Sequence, residues 1–263
     1  MKSFLLVFAS FFLITFFIFG NNIELFFAQD DFILIDKFSQ NSLTSDIKNI
    51  FSIQETHFRP IHNAYFLLLG NLAGKNYALY HLASIFIHAA AGYLVFQIAK
   101  EFYKNTFASF FASFFYLVSS SHFVSLFWIS GNAVEIGFVL LCISLLMSIK
   151  RKLSLSLVFF LLSLLASESL FVGGPILIAY ELIQNSKFKI NFAIGRLAAI
   201  TTLLAIARFV YLTPKSIYDT YQLEVSLNIF SVLKYYFFRI LGFAEFSGDF
   251  IATLLLVVIY GIL

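Results

Sequence analysis

Residues 77–99 read YALYHLASIFIHAAAGYLVFQIA, and no Asp, Glu, Lys or Arg interrupts them. At about 1.5 Å of rise per residue, this run makes a helix about 35 Å long, enough to cross the hydrocarbon core of a bilayer. In lipid the backbone finds no water, so an uncharged stretch of this length satisfies its N–H and C=O groups by becoming a helix. Working outward, apolar runs recur at 3–27, 106–127, 132–149, 153–166, 169–184, 192–212, 228–243 and 250–263. They are continuous rather than alternating, which argues against a barrel. Charged residues make up 12% of the chain, about half the share a soluble domain carries. The expected fold is therefore all-α: a polytopic transmembrane helical bundle of about 8–9 spans, forming a single domain over 1–263.

The short gaps refine that picture. Runs 153–166 and 169–184 are parted by Ser167-Glu168, which predicts a helical hairpin with a tight external turn. Run 61–74 is short and carries Gly70 and Gly74, so it reads as a re-entrant or interfacial helix. Lys2, Lys100, Lys104, Lys150, Arg151, Lys152, Lys187 and Lys189 fall in gaps that alternate with acidic ones. The positive-inside rule makes those gaps cytoplasmic and puts Asp30-Asp31, the loop around His122 and Trp128, Glu168 and segment 213–227 outside. The first run has the polarity of a signal peptide, but no small-x-small cleavage site follows it, which favours a span. The last run reaches Leu263 without a polar flank, so the chain reads as part of a longer protein or as an unusually short one. Cys142 is the only cysteine, which excludes a disulfide framework and argues against a thiolate metal cluster.

The first external loop, Ala28 to Asn63, separates the first apolar run from the next and holds the chain's most promising chemistry. Leu43, Ile47, Ile50 and Phe51 have the spacing of one amphipathic face, predicting a helix that lies in the interface. Asp30-Asp31 offers a general base or a metal ligand, or simply solvates a helix end; in an extended segment the two side chains point apart. Arg59 offers paired donors suited to phosphate, beside the stiffening Pro60, or snorkels to head groups. His57 and His62 flank it and make the local field positive when protonated.

Taken together, Asp30-Asp31 after the first span, Asn41, Phe58-Arg59-Pro60-Ile61, and Tyr80-His81-Leu82 with His88 resemble the membrane-embedded glycosyltransferases of the C-type fold. The resemblance is greatest to the O-mannosyltransferase-like proteins that carry tetratricopeptide repeats. His122 ahead of Trp128-Ile129-Ser130-Gly131 is similar to that family's outer-loop motif, and Ala166-Ser167-Glu168 to its Ser-Lys-Glu. Where the family often has Arg-Lys-Asp after that loop motif, this chain has Asn132-Ala133-Val134 before Glu135; Ser167 stands in the lysine position. The resemblance covers about residues 15–185. It implies transfer of a sugar, a hexose such as mannose, from a polyprenyl-phosphate donor to an acceptor hydroxyl on a protein or glycan at the outer face of the plasma membrane. By the match Asp30 is the base, and Asp31 orients the site or helps hold a divalent metal ion. Arg59 faces the lipid-linked phosphate, and His62, His122 and Glu168 complete the substrate contacts.

Other classes find less support. A transporter or flippase of lipid-linked substrates would use Glu135 and Arg208, but both fall near an interface and no internal repeat is visible. A catalytically inactive membrane scaffold would need none of these groups. His81 and His88, seven residues apart, share a helix face and read as histidines bonding between helices. No phosphate-loop, dinucleotide, nucleophile-elbow or zinc-protease motif is present, and the basic residues form no stripe for nucleic acid.

Overall fold

The computed structural model describes residues 2–39, 43–52, 57–184, 197, 199–203 and 206. Asn41, Lys187, Lys189, Arg196, Arg208, segment 213–227, the runs 228–243 and 250–263 and most of 192–212 lie outside them. Apart from Ser119–Ser121, the described residues belong to one compact unit, Met1–Val118 with His122–Lys215.

Every regular element among the described residues is helical. In chain order these are α1 (Lys2–Phe19), α2 (Asp30–Ser39), α3 (Leu43–Ile50), α4 (Pro60–Ala73), α5 (Tyr77–Tyr103), α6 (Thr106–Val118), α7 (Phe123–Phe127), α8 (Ala133–Ile149), α9 (Leu153–Ala166) and α10 (Gly173–Gln184). Three stretches are long and apolar enough to cross a membrane: Leu5–Glu24, Tyr77–Tyr103 and Ile129–Ile149. A fourth results if α6 and the bent segment after it count as one span. Run 153–166 is α9 to the residue, yet it is shorter than a span, as are α4 and α10.

Small residues bring the long helices together, as expected where lipid supplies no hydrophobic drive between them. A methyl group on Gly92 of α5 would collide with the Leu117 side chain of α6, and the Ser113 hydroxyl donates to the Gly92 carbonyl at 2.6 Å. Ser144 of α8 donates to the Ser156 carbonyl of α9 at 2.7 Å, and Gly137 allows the Ser163 carbonyl to approach. The chain breaks at Ser167 as expected, but α9 packs chiefly on α8, while α10 rests on α8 and the turn after Ser167. The close hairpin is thus α8–α9, turned through Lys150-Arg151-Lys152 with Arg151 at φ 59°.

The first loop is structured. Helix α2 occupies the stretch read as extended, and α3 falls where the amphipathic pattern placed it. Phe27, Leu34, Ile35 and Phe38 form one apolar core with Phe66 of α4, Tyr80 of α5 and Ile129. The Lys37 ammonium donates to Ser52 at 2.6 Å, and the Asn63 amide donates to the Ile50 carbonyl at 2.9 Å, tying α2, α3 and α4 together. Ile47 and Phe51 remain exposed, as an interfacial face requires.

Candidate functional site

Proline disfavours the helical conformation in the residue before it. Arg59 accordingly sits at φ −127°, ψ 63°, just outside α4, with Pro60 at the first helical position. Its guanidinium adds positive charge where the helix dipole is already positive, so the position calls for an anion. Glu168 supplies it: Arg59 Nε and Nη2 donate to the carboxylate at 2.8 and 2.6 Å, joining residues 109 apart in sequence. His57 Nδ1 stands 2.7 Å from the same carboxylate. Glu168 is presented there because α9 ends at Ala166 and Ser167 turns extended. Burial pushes the Glu168 carboxyl up, but the hydrogen bonds from His57 and Arg59 and the Arg59 charge outweigh it and hold the group well below the usual carboxylate range.

The adjacent aspartates take opposite environments. Asp30 is exposed in the first turn of α2. Asp31 is buried, and its two oxygens accept backbone N–H groups from Ser130 at 2.7 Å and Ala28 at 3.0 Å. The second bond reaches back over the helix start, in the manner of a capping box, across Gln29 at φ 48°. Asp31 therefore clasps the first loop to the Trp128-Ile129-Ser130-Gly131 segment, while Asp30 faces solvent. Sequence reasoning expected the two to diverge and named the cause as extended backbone; the cause is a helical turn.

Between these groups lies a layer of buried polar side chains. His62 and Tyr65 of α4 both approach Asn132 without a well-aligned hydrogen bond, and the Asn132 amide donates to the Ser84 hydroxyl at 3.3 Å. Among the described residues, His62 Nε2, Tyr65 OH, Asn132 Oδ1, Ser130 Oγ and Ser167 Oγ are buried without a well-aligned hydrogen bond. Such atoms are rare in native folds and mark places where a polar ligand or water is received. Burial, then the Arg59 charge, lowers the His62 pKa to about 3. His62 is consequently neutral near pH 7, which corrects the expectation that it adds positive field beside Arg59. Burial also raises the Tyr65 phenol, so it serves as a hydrogen-bonding hydroxyl.

His122 joins a different set. Glu135, placed near an interface by the sequence, is buried at 3% exposure. Its carboxylate meets His88 Nδ1 at 2.7 Å and His122 Nδ1 at 3.5 Å, and accepts from Tyr116 at 2.6 Å and Ser125 at 3.4 Å. His88 also bonds the Leu117 carbonyl, and His81 the Leu25 carbonyl, so both histidines do bond between elements. In the sequence the cluster leaves only apolar runs that carry His88 and Glu135, because residues 47 apart share no local period. A groove of about 660 Å³, lined by Leu13, Ile14, Phe16, Phe17, Ile18 and Phe114, is wholly apolar and takes no part in this chemistry.

Of the candidate residues, Arg59, Glu168 and His62 come together, Asp31 belongs to the adjoining Ser130 anchor, Asp30 stands exposed, and His122 lies with Glu135. Compared with family models, curated proteins and solved structures, the chain matches none, so any functional reading rests on its motifs and on this geometry.

Proposed function

We propose that the chain is an integral-membrane glycosyltransferase that moves a hexose from a polyprenyl-phosphate donor to an acceptor hydroxyl on the outer face of the plasma membrane, within a bundle of about 8–9 spans. The observation that carries this reading is the pairing of Arg59 with Glu168 beside the unpartnered polar atoms of His62, Tyr65, Asn132 and Ser167. A sugar is a ring of donors and acceptors, and such a layer matches it group for group.

In this reading Asp30 takes the proton of the acceptor hydroxyl as its oxygen attacks the anomeric carbon, and the bond to the polyprenyl phosphate breaks with inversion. A guanidinium has five N–H donors, and Glu168 engages two of its nitrogens, leaving Nη1 to meet the phosphate as its charge grows. Glu168 thereby positions Arg59. Asp31 has both oxygens committed to backbone N–H groups, so it holds the loop that presents Asp30.

The test is transfer from a panel of polyprenyl-phosphate hexoses by the full chain in proteoliposomes. Asp30→Asn should abolish transfer while the protein remains inserted and folded. Undiminished transfer by that variant rejects the assignment.

A further inference from the structure

We propose that His88, His122 and Glu135 form a buried binding site for a divalent transition metal of the zinc class. The three residues come from α5, the start of α7 and α8, and their ligand atoms all lie within 4.8 Å of one another. The proposal does not rest on the transferase reading, since none of the three touches Arg59, Glu168 or Asp30 in that scheme.

The His88 ring is held from both sides. Its Nε2 stands 3.1 Å from the Leu117 carbonyl, which can only accept, so Nε2 carries the hydrogen. Nδ1 faces the Glu135 carboxylate at 2.7 Å, a contact made either through a proton on Nδ1 or through a cation that both atoms bind. Among the described residues no Lys or Arg pairs with Glu135; its partners are His88, His122, Tyr116 and Ser125. A divalent cation takes the place of the protons in these contacts and engages all three residues at once.

Other geometry fits the same occupant. Bonds of about 2.0 Å in a tetrahedral site set ligand atoms about 3.3 Å apart; His122 Nδ1 lies 3.5 Å from the Glu135 carboxylate, and His88 Nδ1, at 2.7 Å, must draw back by about 0.6 Å to admit an ion. The His88 and His122 rings lie close and tilted, with centroids 4.7 Å apart and planes at 56°. The Leu117 carbonyl orients His88, while the Tyr116 hydroxyl, 2.6 Å from the carboxylate, orients Glu135. These are the outer contacts that metal ligands commonly carry. Two imidazoles and one carboxylate favour zinc over calcium or magnesium, which prefer oxygen alone. Three protein ligands leave one position for water or a substrate oxygen.

The full chain in lipid nanodiscs, stripped with a chelator, reloaded with Zn²⁺ and freed of loose metal by gel filtration, should retain about one zinc per chain. Co²⁺ loading should give the intense visible absorption of a tetrahedral ion, which Zn²⁺ bleaches. Glu135→Gln and His122→Gln should lose both signals. His122 is the ligand with a partly exposed ring, at 17%, so its replacement least disturbs packing. Tyr116→Phe, which keeps all three ligands, should weaken binding by about ten- to a hundredfold. Failure of the unaltered chain to hold zinc, or a cobalt spectrum of the hydrated ion only, overturns the proposal. Equal metal retention by His122→Gln overturns it as well, because the ion is then bound elsewhere.

Discussion

Replacing Glu168 by Gln should lower stability by about 2 kcal/mol, a value that lies between two known limits. Exposed ion pairs contribute about 0–1 kcal/mol, and stripping one partner from a fully buried pair costs about 3–5 kcal/mol. Here the Arg59 and Glu168 side chains are 24% and 22% exposed. Glutamine keeps one oxygen to accept from the guanidinium but turns an amide NH₂ toward the other donor, and it removes the charge that balances Arg59. One lost hydrogen bond to a charged group, about 1.5–3 kcal/mol, agrees with the interpolation. For a protein of this size the loss corresponds to a fall in Tm of about 4–8 °C. Thermal unfolding of the unaltered chain, Arg59→Gln, Glu168→Gln and the double variant in one detergent closes a double-mutant cycle. If the bidentate pair exists, the double variant loses clearly less than the sum of the two single losses. Losses that add to within about 0.5 kcal/mol would mean the residues do not interact, and the convergence argued above would fall with them.

The remaining predictions use the same instruments. His62, its pKa lowered from 6.5 to about 3, contributes its full share of stability above pH 6.5, where both folded and unfolded forms are neutral. Below that pH the unfolded chain takes up a proton that the folded chain refuses, so stability should fall by about 1.4 kcal/mol per pH unit. His62→Gln should flatten the slope between pH 6.5 and about 5, and an unchanged slope would mean the ring is hydrated. Glu168, whose folded pKa is depressed below its ordinary 4.5, adds a second loss only as the pH drops under that value, and Glu168→Gln should remove it. Asp31→Asn can satisfy only one of the two N–H groups from Ser130 and Ala28, and should cost about 1–3 kcal/mol in thermal unfolding. Asp30→Asn, at an exposed position, should stay within about 0.5 kcal/mol of the parent, and a large loss there would mean that Asp30 too is structural.

Hydropathy made much of the fold legible because it accumulates residue by residue. Run 77–99 became the core of α5 and run 153–166 became α9, and the Ser167-Glu168 break fell where polar side chains interrupt the apolar run. The amphipathic spacing at Leu43–Ile50 became α3 for the same reason. Helix α2 was harder to read, since Phe32 and Ile33 are exposed and its apolar face is recognisable only from the core it joins at Phe66 and Tyr80. The candidate site divides along the same line. Arg59 and Glu168 each stood out as residue types, but a pairing across 109 positions leaves no local period. The burial of Glu135 depends on which helix faces meet at Gly92 and Leu117, a packing fact that no single run contains.

The central claim is that an acidic and a guanidinium position share the outer side of the membrane, opposite the lysine-bearing turns. Single cysteines at Asp30, Arg59 and Lys104 test it directly. The native Cys142 is buried at 4% exposure and contributes little background, whereas the Lys104 side chain is 72% exposed. A membrane-impermeant maleimide added to intact cells should label Asp30→Cys and Arg59→Cys at once, and Lys104→Cys only after permeabilisation. Labelling of Lys104→Cys in intact cells, with positions 30 and 59 protected until the membrane is opened, would contradict the account.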